Sequence, residues 1–363
     1  MSKKEVFKSI IFILLFLFLL RSVTYAVRTN GQTKDLFENF YAEKRDSFDV
    51  IFVGSSPVYP YYASAQMYGR EGIASYNLSS PVQRPKADKY ITIEALKTQN
   101  PKLFVYEMRM FTYDDLEMAA NPAHVRNITD NFRYSKNRYD MIRGIYEPAA
   151  EYYTPESELT FHFDIMKYHS NWKTMVLPSQ FKSIFYNKKD PLKGYVFNSD
   201  MVYADTPTCV DTERRVAIPE QSEKVLYELL EQVSSLPADA LFIVSPYVVD
   251  EEHEAMFNYI GDIITENGYK FLDMNKCYDE IGLDFAHDFY DGSGHVNARG
   301  SEKVSDFMAG YIRDNYDIPD RRGDNKYASW DKAYELWKSG NAEAISVIEK
   351  KIEDGVFDEY NLD

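Results

Sequence analysis

A serine able to act as a nucleophile and a histidine able to act as its base stand far apart in this chain. The first lies in Gly54-Ser55-Ser56-Pro57, directly after the apolar run FDVIFV at 48–53. The second lies in Asp288-Phe289-Tyr290-Asp291-Gly292-Ser293-Gly294-His295-Val296-Asn297. A serine hydroxyl is a poor nucleophile at neutral pH unless a neighbouring base takes its proton. A carboxylate shortly before a histidine can accept Nδ1–H, fix the tautomer and leave Nε2 as that base. Each cluster alone is more commonly structural: serines at a turn or helix cap, and a surface histidine in a glycine-rich loop.

The pair gains meaning from the elements around it. FDVIFV is apolar on both faces, which suits a buried parallel strand. GIASYNL (72–78) reads as a second strand, 86–98 as a helix, and the first half of LFVYEMRMF (103–111) as a third strand. After a break, ALFIVSP (240–246) reads as strand, 250–267 as helix, and 269–274 as strand. A loop at 284–297 then precedes a helix at about 298–315, where Val304, Phe307, Met308, Tyr311 and Ile312 form one apolar stripe. Strands alternating with helices predict βαβ units and a parallel sheet. In open α/β sheets ligands bind beyond the carboxyl ends of the strands, so Ser56 and His295 are expected at the same rim. Residues 112 to about 236, rich in Tyr, Asn, Asp and Pro, read as a large, partly helical insertion within a domain at 29–318. The tail, 319–363, holds two short helical candidates near 328–339 and 341–352, separated by Gly340.

Through FVGSS (52–56) and DGSGHVN (291–297), the sequence resembles the SGNH (GDSL-like) hydrolase superfamily, over roughly 48–111 and 238–316. It looks closest to the membrane-anchored bacterial branch related to DltD and to polysaccharide O-acetyltransferases. The resemblance implies a three-layer, flavodoxin-like α/β fold, with Ser56 as nucleophile and His295 as base. It further implies a serine esterase or O-acyltransferase working on a cell-envelope glycan or teichoic-acid-like polymer. The implied partners are a surface polymer or acylated carrier, together with a membrane-bound O-acyltransferase; no cofactor is implied. The departures matter. The superfamily places Asp three residues before its His, where this chain has Gly292; Asp291 is one further away, and Asp288 is the alternative triad acid. The family's oxyanion hole uses the nucleophile's own N–H, a Gly after the second strand and an Asn after the third. Here Ser79 holds the glycine place, and Tyr106-Glu107-Met108-Arg109 contains no Asn. Arg109 or Asn77 stand as candidate replacements, and Glu107 with Arg109 reads equally as a structural ion pair or a substrate clamp. His169, within Tyr168-His169-Ser170-Asn171-Trp172, belongs to a cluster that either lines a sugar cleft or packs structurally. These departures leave open a second class of function, an inactive surface protein of this fold that binds glycan or scaffolds an acylation complex.

Composition limits the alternatives. The chain has 363 residues, 41 Lys plus Arg against 57 Asp plus Glu, and a net charge of −16. That balance argues against a nucleic-acid partner, which needs a basic surface. With 45% hydrophobic residues a substantial core is expected. Two cysteines, Cys209 and Cys277, are too few for a disulfide scaffold or a multi-Cys zinc site, and they either pair with each other or stay free. No histidine shows metal-ligand spacing, so no catalytic metal is expected. At the amino end, SIIFILLFLFLL (9–20) follows Lys3, Lys4 and Lys8. Residues 1–28 therefore read as an uncleaved anchor with a cytoplasmic amino terminus, or as a signal cut after Ala26. In both cases the remaining chain is expected outside the membrane.

Overall fold

Short apolar runs rich in β-branched and aromatic residues build the centre of the molecule. A computed structural model describes residues 2–28, 31–119, 121–146, 157–173, 189–292 and 294–358. Helix α1 (Lys3–Val27) opens the chain and is followed by α2 (Gln32–Ala42). Strand β1 (Val50–Gly54), helix α3 (Ser64–Glu71) and β2 (Ser75–Ser79) come next, then α4 (Pro85–Leu96) and β3 (Leu103–Glu107). Between β3 and the fourth strand lie α5 (Pro122–Thr129), α6 (Lys136–Tyr146), α7 (Glu158–His162), the single turn α8 (Ile165–Tyr168) and α9 (Glu220–Ser234). The chain closes with β4 (Asp239–Val244), α10 (Glu251–Glu266), β5 (Lys270–Asp273), α11 (Ala298–Asn315) and α12 (Ala328–Asp354).

The five strands form one sheet in the order β2-β1-β3-β4-β5, every pair parallel. Successive side chains on a strand point to opposite faces, and both faces of this sheet are covered. Ile51, Val53, Tyr76, Phe104, Tyr106 and Phe242 pack into one buried cluster with residues of α2, α4, α6, α9 and α10. Val50, Phe52, Leu103, Val105, Leu241 and Ile243 pack into the other, with Met67 of α3 and Val304, Met308 and Ile312 of α11. Because every connection crosses from one strand end back to the other, all five carboxyl ends lie along one rim.

Two regions differ from the sequence reading. The tail carries one continuous helix, α12, rather than two, because Gly340 does not interrupt it. A Cβ at Gly340 would lie 2.8 Å from the Phe197 ring, so its lack of a side chain serves close packing. Buried Trp330, Ala333 and Trp337 hold this helix against the domain. Within the region read as an insertion, α9 is an ordinary crossover helix before β4, with Val225, Leu226, Leu229 and Val233 buried on the sheet.

The amino-terminal helix is long and apolar enough to cross a membrane. Its start is fixed by a capping box, Ser2 with Glu5, and its 25 residues extend about 37 Å. Leu14 to Leu19 are exposed, whereas Thr24, Tyr25, Ala26 and Val27 are buried in the domain. Just beyond, Arg28 forms a buried ion pair with Asp164. Asp164 also accepts a hydrogen bond from Tyr134 at 2.5 Å, and Asn171 donates to the Val27 carbonyl at 3.0 Å.

Candidate active site

At the end of β1, Gly54 adopts φ +152°, a conformation that side chains rarely permit. A Cβ there would also lie 2.6 Å from Glu107 Cβ on the neighbouring strand. The glycine thus lets the chain turn sharply off the sheet with β3 pressed against it. Ser55 points inward and is buried, its Oγ accepting a hydrogen bond from the Gln83 N–H at 3.0 Å. Ser56 faces the rim, half-buried, with Oγ 2.9 Å from His295 Nε2.

The histidine loop is closed by its own hydrogen bonds. Tyr290 N–H donates to the His295 carbonyl at 2.9 Å, and Phe289 and Val296 form a short antiparallel bridge. Asn297 caps α11 through Oδ1, which accepts from the Arg299 and Gly300 N–H groups, while its Nδ2 donates to the His287 carbonyl at 2.8 Å. Gly294, at φ +80°, brings the loop against Val248, whose backbone nitrogen would be 2.8 Å from a Cβ. The Tyr61 hydroxyl reaches the Gly294 carbonyl at 2.5 Å and the Pro246 carbonyl at 2.9 Å, tying the loop to the segments after β1 and β4.

This closure determines which acid meets the imidazole. Asp291 Oδ2 lies 2.7 Å from His295 Nδ1, and its Oδ1 accepts the His295 backbone N–H at 2.9 Å. One carboxylate therefore clamps both ring and backbone. Asp288, the other candidate acid, is directed elsewhere: fully buried, it pairs with Lys303 at 2.6 Å and accepts the Asp284 N–H at 2.7 Å. It organises the loop beneath the site and does not bond His295. Burial lowers the His295 pKa below its usual 6.5, opposed by the hydrogen bond that Nδ1–H donates to Asp291 and reinforced by the positive charge of Arg109. The ring is therefore neutral at pH 7, as a base for Ser56 must be.

No protein-family model, curated protein or solved structure matches the chain. The site must be read from its own geometry.

The remaining candidates divide between the rim and the scaffold. Glu107, at the end of β3, is buried and accepts hydrogen bonds from the Ser245 and Arg109 N–H groups. Burial outweighs these bonds and the nearby Arg109 charge, pushing its pKa up to about 7. Arg109 does not form an ion pair with Glu107 among the described contacts; its guanidinium lies 3.9 Å over the Tyr247 ring and donates to Tyr61 Oη at 3.3 Å. Its Nε is buried without a hydrogen-bond partner. Asn77 is not available as a rim donor, because its amide donates to the Tyr62 carbonyl at 2.7 Å, below the end of β2. Ser79, opposite Gly54 in the β1–β2 register, is fully buried. His169 lies with the exposed 3₁₀ turn His169–Lys173 that packs against α1, and its Nδ1 is 3.0 Å from the Met166 carbonyl. Its polar neighbour Asn171 bonds to the end of α1, so that cluster is part of the α1 junction.

Tyr61 escaped the sequence reading although it joins three segments of the site, since one tyrosine among 30 carries no distinguishing spacing. Cys209 and Cys277 are free. Among the described residues, no group of three His, Cys, Asp or Glu side chains is placed to hold a metal ion.

Proposed function

We propose that this protein is an extracytoplasmic, membrane-tethered serine esterase or O-acyltransferase acting on a cell-envelope glycan or teichoic-acid-like polymer. The observation that carries the reading is the continuous hydrogen-bonded path Asp291–His295–Ser56, assembled from opposite ends of the domain. Neutral His295 takes the Ser56 proton as Oγ attacks an ester carbonyl, and Asp291 stabilises the imidazolium that forms. Collapse of the tetrahedral intermediate returns that proton to the departing alcohol and leaves an acyl-Ser56 ester. His295 then deprotonates either water, giving hydrolysis, or a polymer hydroxyl, giving transfer. The positive field of Arg109, which already reaches His295, favours the negative oxygen of both tetrahedral intermediates.

The strand order supports assigning the domain to the three-layer flavodoxin-like class that the SGNH resemblance implies. The buried end of α1 and the Arg28–Asp164 pair favour an anchor that stays attached, and a tethered site meets envelope polymer at raised local concentration. The test is labelling of the full chain by a fluorophosphonate probe. Labelling lost in Ser56→Ala and in His295→Ala supports the enzyme; a folded wild-type protein that never labels leaves the inactive, glycan-binding reading.

A further inference from the structure

A polar cavity lies where α1 enters the domain, and Pro81, just past the end of β2, forms part of its wall. Its volume is about 430 Å³, and its walls come from the end of α1, the start of α2, α5 and α8. Four cations line it, Arg28, Lys34, Arg126 and Lys167, against a single carboxylate among the described residues, Asp130. Arg28 and Arg126 are each paired with a buried carboxylate, Asp164 and Asp130.

Arg28 is the decisive residue. Its side chain is 3% exposed and its Nε is taken by Asp164, yet both Nη1 and Nη2 are buried without a hydrogen-bond partner. A buried charged donor left unsatisfied is costly, and such groups in folded proteins ordinarily have a partner. The start of α2 faces the same cavity through Gly31, Gln32 and Thr33. Helix α2 has 11 residues and begins at this wall with Gly31, which has no side chain to cap it. A guanidinium fork, a helix amino terminus and flexible amines converging from different directions suit a tetrahedral anion better than a planar carboxylate, which offers only two oxygens.

We infer that this cavity binds the phosphate group of an anionic ester. The site is independent of the catalytic reading. Its place immediately past α1 allows two sources of that phosphate, a lipid headgroup at the membrane surface or a soluble phosphate ester, and the two are separable by experiment.

The full chain, purified in a non-ionic detergent and phosphate-free buffer, is unfolded thermally with four additions at matched ionic strength. These are sodium chloride, sodium phosphate, short-chain phosphatidylglycerol, and short-chain phosphatidylcholine, whose phosphate is offset by its own cation. The expected result is a concentration-dependent rise in melting temperature with phosphate, with phosphatidylglycerol, or with both, and none with chloride or phosphatidylcholine. Tighter binding of phosphatidylglycerol assigns the bilayer as source; tighter binding of inorganic phosphate assigns a soluble ester. Lys167→Glu, at an exposed position, weakens either anion roughly tenfold or more. The paired change Arg28→Gln with Asp164→Asn removes the fork without stranding a buried charge, and it weakens binding to the same extent in protein shown folded by circular dichroism. Absence of any anion-specific rise overturns the site, as does a rise that Lys167→Glu leaves unchanged.

Discussion

Replacing Asp291 by Asn tests the catalytic geometry more severely than removing the serine. In the wild type, Oδ1 accepts the His295 backbone N–H at 2.9 Å while Oδ2 faces Nδ1 at 2.7 Å. An asparagine of the same shape has one oxygen and one NH₂ to place there. The backbone N–H requires an acceptor, so the oxygen stays with it and the NH₂ is turned toward Nδ1. An NH₂ can only donate, which forces the ring proton onto Nε2, the atom 2.9 Å from Ser56 Oγ. Nε2 then cannot receive the serine proton. Losing the charge-assisted bond to the imidazolium costs about 1.5–3 kcal/mol, some 10- to 100-fold in rate, and the wrong tautomer brings the total to roughly 10⁴-fold. The fold should persist, since the loop bonds of Tyr290, Asn297 and Tyr61 are untouched. The assay is the second-order rate of fluorophosphonate labelling, with p-nitrophenyl acetate hydrolysis as a companion. Folded Asp291→Asn protein that labels within tenfold of wild type would refute the argument that this carboxylate sets the tautomer of His295.

Three further outcomes follow from other parts of the structure. Because burial lowers the His295 pKa and the ring must be neutral to act, kcat/KM for an activated ester should fall on the acid side with a midpoint below 6.5; a midpoint above 7 contradicts this. Gly54→Ala should lower the melting temperature by roughly 5–10 °C, since it combines a strained φ with a 2.6 Å approach to Glu107 Cβ, and an unchanged melting curve would show that β3 yields easily. Glu107 has its pKa raised from 4.5 to about 7 by burial, so the folded state holds a proton that the unfolded chain releases in that interval. Its contribution makes stability decline as pH rises from about 4.5 to 7, by an amount on the order of 3 kcal/mol. Denaturant midpoints at pH 5 and pH 8 should differ less in Glu107→Gln than in wild type; equal differences in the two proteins would remove Glu107 as the cause.

The sheet was legible because each strand is a short apolar run ending in a turn, and the intervening helices carry apolar residues at helical spacing. Gly340 shows where local signals mislead: a glycine inside a helical pattern reads as a break, while here the Phe197 ring occupies the space a side chain would need. At the site, Ser56 and His295 could be named from position alone, but the choice of acid could not. That choice depends on Gly294 at φ +80° and on the Tyr290–His295 backbone bond, which tighten the loop until a carboxylate four residues away reaches both the N–H and the ring. Asp288, the alternative acid, lies seven residues before the histidine, and Lys303, fifteen residues later on α11, holds it elsewhere. Asn77 and His169 were chosen for their chemistry, and what removes them from the site is contact with Tyr62 and with α1, neither of which any local pattern encodes.

The union of α1 with the domain has a mechanical consequence. Tyr25 to Val27 are enclosed, and Arg28 is locked to Asp164 from the next layer, so the helix meets the domain as a mast meets a deck rather than as a leash. With α1 in a bilayer, Ser56 would ride at one altitude and one tilt, working only on chains that pass through that plane. The same joint warns against trimming the protein at residue 28 to obtain a soluble version: the cut would pull a plug from the domain and leave buried Asp164 with the more distant Arg138, at 3.9 Å, as its counter-charge.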